Sequence, residues 1–79
     1  MPTNLSGQTV LITGASKGIG HALAQEFLSR GAVVTGVSRT RPEEPAGTWI
    51  RGDVTQAEDR KRIVDSVLAT HGRLDVLVN

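Results

Sequence analysis

The sequence predicts an α/β chain built on a parallel sheet, and three observations carry that reading. Short, nearly all-apolar runs such as Val10-Leu11-Ile12 and Val76-Leu77-Val78 recur along the chain. Runs of this kind belong to strands covered on both faces, as in parallel sheets. Segments with helical apolar spacing separate them. The first strand, helix and second strand fit within about thirty residues, the size of one βαβ unit.

Residues 1–8 read as an irregular lead-in with a turn at Ser6-Gly7, followed by a strand from Thr9 to Thr13. Gly18 to Arg30 reads as the first helix, with Ile19, Leu23 and Phe27 recurring every fourth residue and Ala24 and Leu28 beside them. That spacing predicts one apolar stripe facing the sheet. Gly31 is placed to cap its end. The second strand is expected over Ala32–Val37, where β-branched Val33, Val34 and Val37 suit an extended chain.

The pattern breaks between Arg39 and Thr48. Pro42 and Pro45 bracket Glu43-Glu44, and proline disfavours helix both at its own position and at the one before it. A loop is expected here, leaving one sheet face less covered. Thr48 to Arg51 then forms a third strand with Trp49 as its bulky member, a residue expected to pack rather than to serve as a substrate platform. Thr55-Gln56-Ala57-Glu58 has the form of a capping box opening a second helix to about Thr70. Ile63, Val64, Val67 and Leu68 form its expected apolar stripe, and Gly72 its stop. Leu74–Val78 is the fourth strand.

The chemistry concentrates in Thr13-Gly14-Ala15-Ser16-Lys17-Gly18-Ile19-Gly20. Three glycines stand where a strand hands over to a helix. Glycine tolerates positive φ and lets a ligand approach the backbone. The free N–H groups and dipole of a helix N-terminus favour an anion. A Walker-type loop needs Gly-Lys followed by Ser or Thr, whereas here Lys17 precedes Gly18 and Ile19 follows. Nor is the spacing the common G-x-G-x-x-G.

Thr-Gly-x-x-x-Gly-x-Gly resembles the cofactor loop of the short-chain dehydrogenase/reductase family. The resemblance runs from Thr9 to Asn79. It implies a Rossmann-like parallel sheet in the strand order 3-2-1-4, with the two helices on opposite faces. It also implies that Gly14, Ser16, Lys17, Gly18, Ile19 and Gly20 cradle the phosphates of a dinucleotide. Family members usually carry a helix where this chain has its proline-rich loop.

The end of the second strand sets the cofactor. An NAD site places Asp or Glu about 20 residues past the loop, to hold the ribose 2′-hydroxyl. Here stand Ser38 and Arg39, with Arg41 nearby and no acid before Glu43. A guanidinium grips a 2′-phosphate that a carboxylate would repel. Lys17 adds a second cation, and in the family a basic residue at either place accompanies NADP. NADP is therefore expected in preference to NAD. The resemblance lays Asp53 and Val54 against the adenine. Asn79 matches the first residue of the family's Asn-Asn-Ala-Gly and lines the adenosine side. His21 and His71 are expected to be packed or solvated, with no catalytic or metal role.

Composition narrows the alternatives. The chain has 79 residues, no cysteine and a formal net charge of +1. A chain this short holds at most one small domain, burying only about 60% of its unfolded surface. The basic residues are scattered, which argues against a nucleic-acid face. The apolar runs are far too short to span a membrane. A cysteine-free chain suits the cytoplasm. The family's proton transfer resembles the work of a Tyr in Tyr-x-x-x-Lys, and this sequence contains no tyrosine. The expectation is therefore a partial cofactor-binding domain over residues 1–79, similar to the first third of a family member and inactive alone. It would bind a dinucleotide, and in a longer parent a small carbonyl or alcohol, with oligomers possible. The alternative is a non-catalytic dinucleotide-binding or interaction module that uses its last strand for pairing.

Overall fold

The computed structural model describes residues 4–14 and 18–79. Six elements follow in order: β1 (Thr9–Thr13), α1 (Gly18–Ser29), β2 (Val33–Ser38), β3 (Thr48–Arg51), α2 (Ala57–His71) and β4 (Val76–Val78). The strands form one parallel sheet in the order β3-β2-β1-β4. β1, flanked by β2 and β4, is almost wholly buried, which is why its sequence is apolar without alternation.

Side-chain alternation divides the core into two layers. Val10, Ile12 and Val34 face α1 and pack with Ala24. Leu11 and Val37 face the other way, onto Ile63 and Val67 of α2. The two helices therefore cover opposite faces, as expected.

The first helix meets the sheet along a different line from the expected stripe. Ile19 is 82% exposed, and Leu23 and Leu28 also lie outside. Ala24 is buried and Phe27 packs partly against the same cluster. The small side chain of buried Ala24 lets the helix sit close to the strands. On α2, Ile63 and Val67 are buried as expected, but Leu68 faces outward at 44% exposure.

The capping box does not form. Gln56 is the N-cap of α2 and makes no side-chain capping bond. Thr55 instead donates from both its amide and its hydroxyl to Asp53 Oδ1, at 2.9 and 2.6 Å. The Asp53 carboxylate accepts both bonds in a charge-assisted pair, and the N-cap falls one residue later, at Gln56. At the far end Gly72 caps α2 as expected, with φ 76° and its N–H donating to the Leu68 carbonyl at 2.8 Å. The lead-in is stitched to α1: Leu5 N–H donates to the Arg30 carbonyl at 2.9 Å.

Residues 39–47 cross from β2 to β3 without a helix. The loop itself covers the sheet here. Pro42 is buried, and Ala46 packs on the α1-side cluster. Gly47 (φ +77°) lies so close to β2 that a Cβ would stand 2.5 Å from the Val34 carbonyl oxygen.

Candidate functional site

Four segments end at one edge of the sheet: the turn after β1, the first turn of α1, the loop after β2 and the turn after β3. They enclose an open cleft of about 960 Å³. Ligands of open parallel sheets sit outside the carboxyl ends of the strands, where this cleft lies.

Gly14 and Gly18 line it from the glycine turn. Both hold positive φ, 65° and 63°, and a Cβ at either would meet nothing within 4 Å. Backbone conformation therefore requires glycine here, and the space beside it stays open to a ligand. α1 starts at Gly18 with no acidic residue in its first turn, so its N-terminal dipole is uncompensated by a described side chain. Ser16 and Lys17 lie outside the described residues. Ile19 and Gly20 belong to the first turn of α1 but are not on the cleft wall; Ile19 projects outward and Gly20 is half-buried.

Ser38 and Arg39 enter from the end of β2. Ser38 is only 8% exposed. Its hydroxyl donates to the Thr40 carbonyl at 2.7 Å and accepts from Trp49 Nε1 at 2.8 Å. Arg39 is exposed and forms no ion pair with a described residue. It borders both the main cleft and a smaller hollow of about 490 Å³ shared with Arg51, Arg62 and Asp59. Arg41 lines the main cleft too, and so do Glu43 and Glu44.

Asp53 and Val54 form the opposite wall. The hydroxyl and amide of Thr55, and more weakly the Arg39 guanidinium, hold the Asp53 carboxyl below its ordinary value. The Asp53 N–H donates to Asp59 Oδ2 at 2.8 Å, and the Val54 carbonyl accepts from Arg60 Nη1 at 2.7 Å, so α2 fixes this turn. Gly52 makes room for α2 behind it, since a Cβ there would approach Ile63 Cδ1 to 2.6 Å. Asn79 stands apart from the cleft, at the end of β4, with a long 3.4 Å contact from Thr13 Oγ1 to its Oδ1.

Six of the sequence-derived residues thus share one wall system: Gly14, Gly18, Ser38, Arg39, Asp53 and Val54. Sequence reasoning missed Thr55, although an Asp followed two residues later by Thr is a known turn signal. It also missed His21 as a cleft-lining residue. The His21 Nδ1 is buried and has no hydrogen-bond partner among the described residues. Among the described residues, no group of three His, Cys, Asp or Glu is placed to hold a metal ion. No described helix is long and apolar enough to cross a membrane.

This geometry defines a Rossmann-like chain with an open cleft at the carboxyl ends of its strands. The family described as short chain dehydrogenase matches it over residues 8–79, and the chain belongs to that family. Members of the family work with nicotinamide dinucleotides. The chain is 43% identical to 11-beta-hydroxysteroid dehydrogenase 1A of Arabidopsis thaliana, in a match covering 96% of this chain and 25% of that protein. It is 39% identical to L-fucose dehydrogenase of Mus musculus, over 98% of this chain and 31% of the relative. Among solved structures, ligand-free aldohexose dehydrogenase of Thermoplasma acidophilum superposes with a TM-score of 0.91 at 37% identity, over 95% of this chain and 29% of that one. The chain spans about a quarter to a third of the length of these relatives.

Proposed function

We propose that residues 1–79 are the NADP-binding part of a short-chain oxidoreductase that moves hydride between NADP(H) and a carbonyl or alcohol, and that the proton-transferring residues lie outside this stretch. The bound dinucleotide would supply the hydride chemistry. This chain's residues would bind and orient it: the backbone of Gly14 and of Gly18 to Gly20, with Ser16 and Lys17, toward the pyrophosphate; Ser38 and Arg39 toward the ribose; Asp53, Val54 and Asn79 toward the adenosine. The absence of tyrosine from the sequence supports placing proton transfer elsewhere. The names of the relatives span a steroid and sugars, so substrate choice is assigned outside the shared segment. A cytoplasmic location suits the cysteine-free sequence.

The observation that carries NADP over NAD is Arg39, an exposed guanidinium at the end of β2 on the cleft wall, where an NAD site would carry an acid. Glu43 and Glu44 lie on the same wall, so the discrimination is the balance of Arg39, Arg41 and Lys17 against them. A charge-assisted contact of about 2–3 kcal/mol from Arg39 corresponds to a roughly 30- to 150-fold preference. Calorimetric titration of the chain with NADPH and NADH tests this. NADPH is expected to bind tighter by that factor, and Arg39→Asp to abolish the difference. Equal affinities in the unaltered chain would defeat the reading.

A second reading, a non-catalytic dinucleotide-binding or interaction module, draws on β4. It is an edge strand among the described residues, with Leu77 54% exposed. Dimers that persist without cofactor, and that Leu77→Lys dissociates, would favour that reading.

A further inference from the structure

We infer that Trp49 is a positioning residue for cofactor choice: through Ser38 and Thr40 it holds the backbone on either side of Arg39, and the preference for a 2′-phosphorylated dinucleotide depends on its indole N–H. The inference rests on the cofactor reading above and deepens it.

The question is what places Arg39. The residue opens a crossover that has no helix to hold it. Among the described residues, no backbone-to-backbone hydrogen bond beyond the helices and the strand ladder involves residues 39–47. One side-chain bond reaches into the loop, from Ser38 Oγ to the Thr40 carbonyl at 2.7 Å. It joins the residues flanking Arg39 and so closes the chain around it.

That bond needs its direction set, because a hydroxyl has one proton and can turn it elsewhere. The indole of Trp49 removes the choice. Indole N–H is donor only. Its Nε1 donates to Ser38 Oγ at 2.8 Å. Ser38 must accept there, which directs its proton to Thr40. Two bonds in series polarise one another, so the second is stronger for the first.

The ring itself is well placed for this. Trp49 stands opposite Gly36 in the β2–β3 register. With no side chain at Gly36, the indole can extend diagonally to Ser38, two residues along the same face. Pro42, Pro45 and Ala46 border the same small hollow as Gly36 and Trp49. The guanidinium of Arg41, the residue after Thr40, lies 5.9 Å from the ring centroid, and Arg51 is at the same distance. Trp49 thus touches the loop on both sides of the cation that the cleft presents, while taking no part in the cleft wall itself.

The test is calorimetric titration of the chain with NADPH and with NADH, in the unaltered protein, in Trp49→Phe and in Ser38→Ala, with the thermal midpoint of each recorded. Trp49→Phe keeps an aromatic ring and deletes the N–H. The expected result is an NADPH affinity lower by about fivefold, the weight of one ordinary hydrogen bond, with NADH affinity unchanged. Ser38→Ala should lower the NADPH affinity similarly, and the double variant should fall no further, since both act through one chain of bonds. A Trp49→Phe protein that keeps the NADPH-to-NADH ratio, or loses both affinities equally, overturns the inference. If Trp49→Phe fails to fold, Ser38→Ala carries the test through the ratio: Ser38 also faces the ribose shared by both cofactors, so a loss of NADPH affinity with NADH affinity unchanged supports the inference, and an equal loss of both overturns it. A preference absent from the unaltered chain overturns the cofactor reading and the inference together. A preference that is present there and survives Trp49→Phe overturns the inference alone.

Discussion

Thr9 and Asp75 hold each other by two hydrogen bonds across the sheet: the Thr9 N–H donates to Asp75 Oδ2 at 2.7 Å, and the Asp75 N–H donates to the Thr9 carbonyl at 2.9 Å. Arg73 donates to the other carboxylate oxygen at 2.7 and 3.1 Å. β4 has only three residues, and this clamp sets its register against β1 from just outside the strand.

The clamp makes β4 attachment sensitive to acid. Arg73 first, and the Thr9 amide second, hold the Asp75 carboxyl below its ordinary value of 3.8. A carboxylate with a lowered folded pKa contributes stability that is fully present above the unfolded value and is lost as the pH falls through the folded one. Asp75→Asn should therefore destabilise the chain at pH 7, with the deficit closing as the pH drops below 3.8. Urea melts of both proteins between pH 7 and pH 2.5 would show the curves converging; parallel curves would mean that the charge on Asp75 contributes nothing.

Thr55 governs the carboxylate in the cleft. Its hydroxyl is the first cause of the lowered Asp53 pKa. Thr55→Val removes that donor and leaves the amide. The Asp53 carboxyl should then titrate closer to 3.8, which NMR titration of the side-chain carbon reads directly. An unmoved titration would reassign the shift to the amide and Arg39.

Gly47 and Gly72 separate two reasons for glycine. Both have positive φ, 77° and 76°, but a Cβ at Gly47 would meet the Val34 carbonyl oxygen at 2.5 Å, whereas at Gly72 it would meet nothing within 4 Å. Gly72→Ala should cost about 1–2 kcal/mol from the left-handed backbone alone. Gly47→Ala should cost more, because backbone must move as well. Chemical denaturation of the two variants gives the difference, and equal losses would show that the loop yields without cost.

α2 rests on the sheet through Ile63 and Val67, both buried. Ile63→Val should cost about 0.5–1.5 kcal/mol, and Ile63→Ala about 2–5 kcal/mol. A core this small has little stability in reserve, so the alanine variant should lose cooperative unfolding in circular dichroism melts. Leu68→Ala, on the outward side of the same helix, should change the midpoint little.

The sheet was legible because its signals are local: apolar runs mark the strands, glycines the turns, and prolines the crossover without a helix. The cleft was legible for the same reason, since Gly14 and Arg39 each follow directly on a strand and Asp53 stands two residues past one. What escaped depended on three-dimensional competition. Ala24 and Phe27 of the expected α1 stripe do meet the sheet, but leucine spacing gave no sign that Ile19 and Leu23 would be left outside. Thr55 could accept from the amides of the helix end or donate to the Asp53 carboxylate, and it is the charge-assisted pair with Asp53 that forms. The bond from Trp49 to Ser38 spans two strands and exists only in one register, opposite a glycine. No window of sequence contains it.

The indole above the β2–β3 loop has a further consequence, for optics. Trp49 is the sole tryptophan and the sequence has no tyrosine. Nearly all near-ultraviolet absorbance and emission of this chain therefore originates in one ring, hydrogen-bonded beside the cleft. Its emission overlaps the absorption band of a reduced nicotinamide, so the chain carries its own energy-transfer donor. Quenching on titration would report occupancy without any label, from a single known position.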